Sequence, residues 1–140
     1  MTDWPEDIAD IIEDFSFLEG WEERYTHVID LGQAMPELPE SEKIPANKVQ
    51  GCASQVWLVS ERDAAGLLGF RGDSDAHIVK GLVAIVTRVF SGKPDPVIVD
   101  LDTDALFSQL GLAEHLSSQR ANGLRSMVAR IKAEAASPSD

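Results

Sequence analysis

The chain reads as an α+β protein, with helices packed on one side of a small antiparallel sheet. Three observations carry that reading. Apolar residues recur at helical spacing over residues 8–15, 78–90 and 124–131. Between the first two stretches lie two short β-forming runs joined by Asp63-Ala64-Ala65-Gly66, a composition suited to a hairpin loop. Helices, then strands, then helices is an order that segregates the two kinds of element.

Ile8, Ile11, Ile12 and Phe15 fall at i, i+3, i+4 and i+7 and predict a first helix. Asp3 and Glu6 around Pro5 give a start resembling a capping box. Gly20 breaks the pattern. A second helix is expected from about Trp21 to Ala34, burying Trp21, Tyr25 and Val28, with Pro36 ending it. Met35 to Asn47, with three prolines among glutamates, reads as an ordered or semi-ordered loop, not a domain linker, leading to Cys52. Val49-Gln50 suggests a short strand, and residues 54–61, with Val56, Trp57, Leu58 and Val59, a longer one. Leu67, Leu68 and Phe70 form the return strand, ending at Gly72. Gly66, Gly69 and Gly72 lack the spacing of a phosphate loop and read as hairpin flexibility and close packing.

Asp73-Ser74-Asp75 is then expected to open a helix, with Ser74 or Asp75 as N-cap. Ile78, Leu82, Ile85, Val86 and Val89 make one face of it, and Val79, Val83 and Phe90 widen that face. So narrow a polar stripe predicts the central buried helix, packed on the sheet. Gly92-Lys93-Pro94-Asp95-Pro96 is a turn. Asp102 or Thr103 caps a short helix that Gly111 stops. Leu124, Met127, Val128 and Ile131 line a last helix, and the tail from Ala135 is expected to fray.

A length of 140 residues, with 44% hydrophobic and 26% charged residues, predicts one domain spanning 1–140 with its own core. No apolar run is long enough to span a bilayer, and the acidic N-terminus lacks a signal-peptide pattern, so no membrane role is expected. With one cysteine, the expected compartment is cytoplasmic. A formal net charge of −12 disfavours nucleic-acid binding. The plain reading of that acidity is solubility. A sharper one is steering toward a basic patch on a partner.

The candidate for chemistry is Cys52, in Gly51-Cys52-Ala53-Ser54-Gln55-Val56-Trp57. A single cysteine excludes an internal disulfide and a multi-cysteine metal site. Free cysteines are often simply buried. Here the thiol stands at a loop-to-strand corner, after a glycine and among small residues, where functional groups are often displayed. If it reacts, it works as a single nucleophile or carrier. His27, His77 and His115 stand in no protease signature or metal-ligand spacing and read as surface or helix-end residues. Arg71, Asp73, Asp75 and Lys80 gather at the strand-to-helix junction, where ion pairing and capping account for them.

Three separated stretches together resemble the SufE family. They are Gly51-Cys52-Ala53-Ser54-Gln55-Val56-Trp57, Gly72-Asp73-Ser74-Asp75-Ala76-His77-Ile78-Val79-Lys80-Gly81-Leu82 and His115-Leu116-Ser117-Ser118-Gln119-Arg120-Ala121-Asn122-Gly123-Leu124. Ser118 departs from the proline expected in many relatives. The resemblance implies a fold shared with IscU-type scaffolds, whose three cysteines this chain lacks. It implies a sulfur acceptor that takes persulfide sulfur from a SufS-like or CsdA-like cysteine desulfurase onto Cys52. The acceptor stimulates that enzyme and delivers sulfur to a Suf-type cluster scaffold. The pyridoxal phosphate belongs to the desulfurase, so no cofactor is expected in this chain, which would be a monomer or homodimer. Gly51, Ser54, Gln55, Asp73, Asp75 and Arg120 are expected to support the loop or contact the partner.

Overall fold

The computed structural model describes residues 5–52 and 54–136. Helices α1 (Glu6–Ser16) and α2 (Gly20–Ala34) come first. Strands β1 (Val56–Arg62) and β2 (Leu68–Ser74) then pair antiparallel, with Val56 opposite Ser74 and Arg62 opposite Leu68. Helices α3 (His77–Phe90), α4 (Asp95–Asp100), α5 (Thr103–Gln109), α6 (Leu112–His115) and α7 (Ser118–Ala136) follow. This is the α+β arrangement expected, with a two-stranded sheet. No helix among the described residues is long and apolar enough to cross a membrane.

Helix α3 is the centre. Ten of its fourteen residues are buried, and it packs against α2, β2 and α7. Two glycines set its distance from α2. A Cβ on Gly81 would collide with the Val28 carbonyl, and one on Gly32 would sit 2.6 Å from the Gly81 nitrogen. Gly72 does the same for the sheet, where a Cβ would lie 2.5 Å from a Val83 methyl. The three helical stripes read from the sequence all reach the core, with Ile8, Phe15, Val86 and Met127 fully buried.

The hairpin loop forms as its residues dictate. Asp63 Oδ1 accepts from the amides of Ala65 (2.9 Å) and Leu67 (3.0 Å), and Gly66 adopts φ +84°. Leu67 therefore belongs to the loop. Asp102 caps α5 by accepting from the Ala105 amide, and Gly111, at φ +76°, follows its end.

Several expectations are corrected. Val49-Gln50 forms no strand. Lys48 makes one bridge to Trp57, and the chain then turns at Gly51, φ +88°. Strand β2 continues past Gly72 through Asp73 and Ser74, and α3 starts at His77 without a side-chain cap. The expected cap residues are used elsewhere. Asp75 accepts from the Gln55 amide at 3.0 Å, locking the start of β1. Ser74 Oγ accepts from the Ala76 amide at 3.3 Å, just before the helix.

Trp21 and Tyr25 are only partly buried, because they flank the bundle. Trp21 stacks on His115 with centroids 4.8 Å apart. Helices α4 and α6 replace expected turn and loop. Pro94 precedes α4 and Pro96 lies in its first turn, both tolerated positions, and Arg62 grips Asp95 with two hydrogen bonds. Pro5 occupies the cap position of α1 without a side-chain cap, and Asp3 lies outside the described residues. Ala135 is buried and α7 holds to Ala136, while the rest of the tail lies outside the described residues. Ser118 is the first residue of α7, a position that suits proline equally well.

Gly81→Ala should destabilise the protein by about 3 kcal/mol or more, since backbone rather than a mobile side chain blocks the new methyl. Gly69→Ala, which meets only the Glu61 carbonyl at 3.8 Å, should be nearly neutral. Urea unfolding of the two variants checks the contrast.

Candidate functional site

Cys52 follows the left-handed turn at Gly51. The backbone conformation selects glycine there, and a Cβ would lie 2.6 Å from Ser126 Oγ on α7, so that hydroxyl would have to rotate away to admit one. The chain then lies against α7 at Gly123, where a Cβ would come 3.4 Å from the Cys52 sulfur. Cys52 Sγ–H donates to the Gly123 carbonyl at 3.6 Å. The ends of this segment are held firmly. Val49 donates to the Val56 carbonyl at 2.8 Å, and Gln55 is bonded to Asp75. Arg130 on α7 donates to the carbonyls of Ala46 and Lys48.

The half-buried thiol opens into a cavity of about 320 Å³. Val79 and Leu82 of α3 and Met127 of α7 give it an apolar wall. Ser54, Ser117, Gln119 and Arg120 supply polar groups, and no histidine is among the described residues that line it. Ser117 Oγ also accepts from the Arg120 amide at 3.3 Å, fixing the first turn of α7. Burial pushes the Cys52 thiol above its ordinary pKa, so the resting sulfur is held as the neutral thiol. Such a site can shelter a second sulfur atom and limit attack by small thiols and oxidants.

Of the residues expected from the sequence, Cys52, Ser54 and Arg120 meet in this cavity, and Gly51 is its turn. Gln55 and Asp75 pair with each other beside the segment, outside the lining. Asp73 belongs to a different centre. Its buried carboxylate accepts from the Leu38 amide at 3.1 Å and the Ser74 amide at 2.8 Å, with Lys80 at 3.4 Å and Lys43 at 3.6 Å. Burial alone would raise its pKa. The two amides and the lysines outweigh that and hold it below the usual carboxylate value. Arg71 lies at the surface, bridging Glu42 and Glu61.

Val79, Leu82 and Met127 are core residues, as their helical periodicity predicts, and they also form a wall of the cavity, which periodicity does not reveal. Ser117, Gln119 and Gly123 stood in the stretch around Arg120 without being singled out. That closeness in sequence was the available signal.

A family model described as SufE, Fe-S metabolism associated domain, matches residues 9–135. A SufE-like protein of Rhizobium etli, described as uncharacterized, is 59% identical over 128 residues, covering 89% of this chain and 86% of that one. A similarly described protein of Rhizobium meliloti is 60% identical over 128 residues, covering 89% and 91%. The solution structure of a hypothetical protein from Thermus thermophilus has a TM-score of 0.76 at 17% identity, covering 95% of this chain and 96% of that one. That likeness supports the fold alone.

Two outcomes are expected. The rate of Cys52 alkylation by iodoacetamide should titrate at higher pH in the native protein than in the urea-unfolded chain. Folding favours the neutral thiol, so this group's contribution to stability falls as pH rises past the unfolded thiol's pKa. An equal or lower native midpoint would contradict the burial argument. Second, Asp73→Ala should cost about 2–4 kcal/mol at neutral pH, because it leaves two amides without their acceptor and takes the buried carboxylate away from Lys80 and Lys43, which keep only Glu37 and Glu40. Asp73's stabilising effect is present above the unfolded carboxylate pKa and lost as pH falls through its lower folded value. Urea titrations of wild type and variant at neutral and acid pH measure both statements.

Proposed function

This chain belongs to the SufE family, and from that premise we propose that it carries sulfur on Cys52. It accepts the sulfur from a PLP-dependent cysteine desulfurase, stimulates that enzyme by clearing its persulfide, and passes the sulfur on for iron–sulfur cluster assembly. The observation that carries the reading is one thiol at the wall of a cavity roomy enough for an added sulfur atom.

The transfer balances as a thiol–disulfide exchange. The Cys52 thiolate attacks the terminal sulfur of the desulfurase persulfide. A sulfur–sulfur bond forms on Cys52, the donor's sulfur–sulfur bond breaks, and the donor cysteine leaves as thiolate. No net oxidation occurs. A second exchange hands the sulfur to the recipient and restores the Cys52 thiol.

The resting thiol is neutral and turned toward α7, so attack needs it to leave the cavity and lose its proton. Gly51 is the pivot. Its left-handed backbone lets the segment reorient while Val49 and Gln55 hold the two ends. Arg120, Ser54 and Gln119 provide donors near the returning persulfide, and the apolar wall excludes water. Ser54, Gln55, Asp75 and Arg120 contact the partner or position the segment, whereas Asp73 acts through the scaffold.

Intact-mass spectrometry after mixing the protein with a SufS-type desulfurase and free cysteine tests this. Wild type should gain sulfur on Cys52, reversibly with a thiol reductant, and Cys52→Ser should gain none. Full stimulation of the desulfurase by Cys52→Ser would replace the carrier role with docking alone.

A further inference from the structure

One exposed stretch of chain supplies most of the polar side of the Cys52 cavity. Ser117, Gln119 and Arg120 line the cavity there, and all three are exposed. From Gly123 onward α7 enters the core, with Gly123, Leu124 and Met127 buried. Upstream, the stretch starts from α6, a single turn of helix at Leu112–His115. The rim of the cavity is therefore an exposed span between two supports, and the placing of α6 sets one of them.

Helix α2 grips α6 at both ends. Before its start, Arg24 Nη1 donates to the Leu110 carbonyl at 3.1 Å, and Arg24 lies so close over Gly111 that a Cβ there would collide with Nη1. At its end, the His115 ring stacks on Trp21, with centroids 4.8 Å apart and planes 12° from parallel. Trp21 and Arg24 stand three residues apart on α2, so one face of that helix makes both contacts. Leu116, beside the stack, packs against the core, and its amide donates to the Leu112 carbonyl at 3.2 Å. Ser117 then opens the rim and accepts from the amides of Arg120 and Ala121. No residue of α2 is among the described residues that line the cavity, so this grip acts from one layer behind it.

We infer that Trp21, Arg24 and His115 are positioning residues for the Cys52 site, a clamp that keeps the rim at residues 117–120 closed on the cavity. The inference rests on the sulfur-carrier reading for what is sheltered, the persulfide. The clamp itself bears equally on the free thiol. It gives a task to His115, an exposed side chain whose ring contact among the described residues is with Trp21. The stack belongs to the closed arrangement. Its loss raises the population of the open one by the Boltzmann factor of the stack, about fivefold for an aromatic pair of ordinary strength. Small reagents reach the sulfur through that open population.

The test compares wild type, His115→Ala, His115→Phe and His27→Ala. His115→Phe keeps a ring against Trp21. His27→Ala removes another ring contact of α2, the edge contact with Phe15 of α1 at 5.1 Å. Urea unfolding reports the global stability of each variant. Two rates are then read without denaturant. One is alkylation of the free Cys52 thiol by iodoacetamide. The other is release of sulfur by dithiothreitol from Cys52 loaded by a SufS-type desulfurase. His115→Ala should raise both about fivefold. His115→Phe should restore wild-type rates, and His27→Ala should leave them unchanged. Wild-type rates in His115→Ala, an equal rise in His27→Ala, or no rescue by His115→Phe would overturn the clamp. So would rates that merely follow the loss of urea stability across the variants. If wild type takes up no sulfur, the carrier reading falls, and the alkylation rates alone decide the clamp.

Discussion

The close contact between α2 and α3 governs the rest of the structure. Gly81 and Gly32 let two helix backbones approach closely, with Val28 of α2 lying directly against Gly81. That contact draws α3 into the middle of the molecule, where it must be apolar nearly all round. Its other sides then meet β2 and α7. The Cys52 cavity is built from α3 on one wall and α7 on the other, so its width follows from where the glycines seat the central helix. A fold of this size tolerates few such backbone contacts, and this one fixes the frame on which the reactive segment hangs.

Electrostatics divides the molecule into parts with different tasks. Asp73 holds together the segment before the sheet, the end of β2 and the first turn of α3 through amides and two lysines. Lys93 and Asp7 join α1 to the chain after α3 at 2.7 Å, with the lysine buried. These groups satisfy one another and have little left to offer a partner. The two acids of one short stretch, Asp73 and Asp75, show the division. The first is consumed by the scaffold, and the second closes one end of the reactive segment.

Much of this was legible in the sequence. The helical stripes of α1, α3 and α7 and the turn at Asp63–Gly66 are local patterns, and local patterns survive folding. The boundary between β2 and α3 was misplaced because Ser74 and Asp75 are good caps by type. Tertiary bonding to Gln55 used Asp75 differently, a partner twenty residues away that no window reveals. Helix α4 was hidden by its prolines, which forbid a helix interior but suit its first turn. For the site, glycine before a lone cysteine pointed to the right corner. The apolar cavity wall looked like any core, since a residue facing a void has the same periodicity as one facing a neighbour.

The anchoring of the reactive segment sets a length. Val49 and Gln55 are both tied down, so Cys52 sits three residues from each tether. Fully extended chain covers about 3.5 Å per residue, which gives the cysteine a leash of roughly 10 Å. The sulfur can therefore lean out of its shelter but cannot travel. In the proposed carrier role, a donor or recipient would therefore have to bring its own sulfur almost to the surface, or extend an arm of its own to meet it. A deeply recessed donor thiol would be out of range whatever its affinity. Lengthening the 50–54 segment would widen the choice of correspondents at the expense of a sheltered resting position.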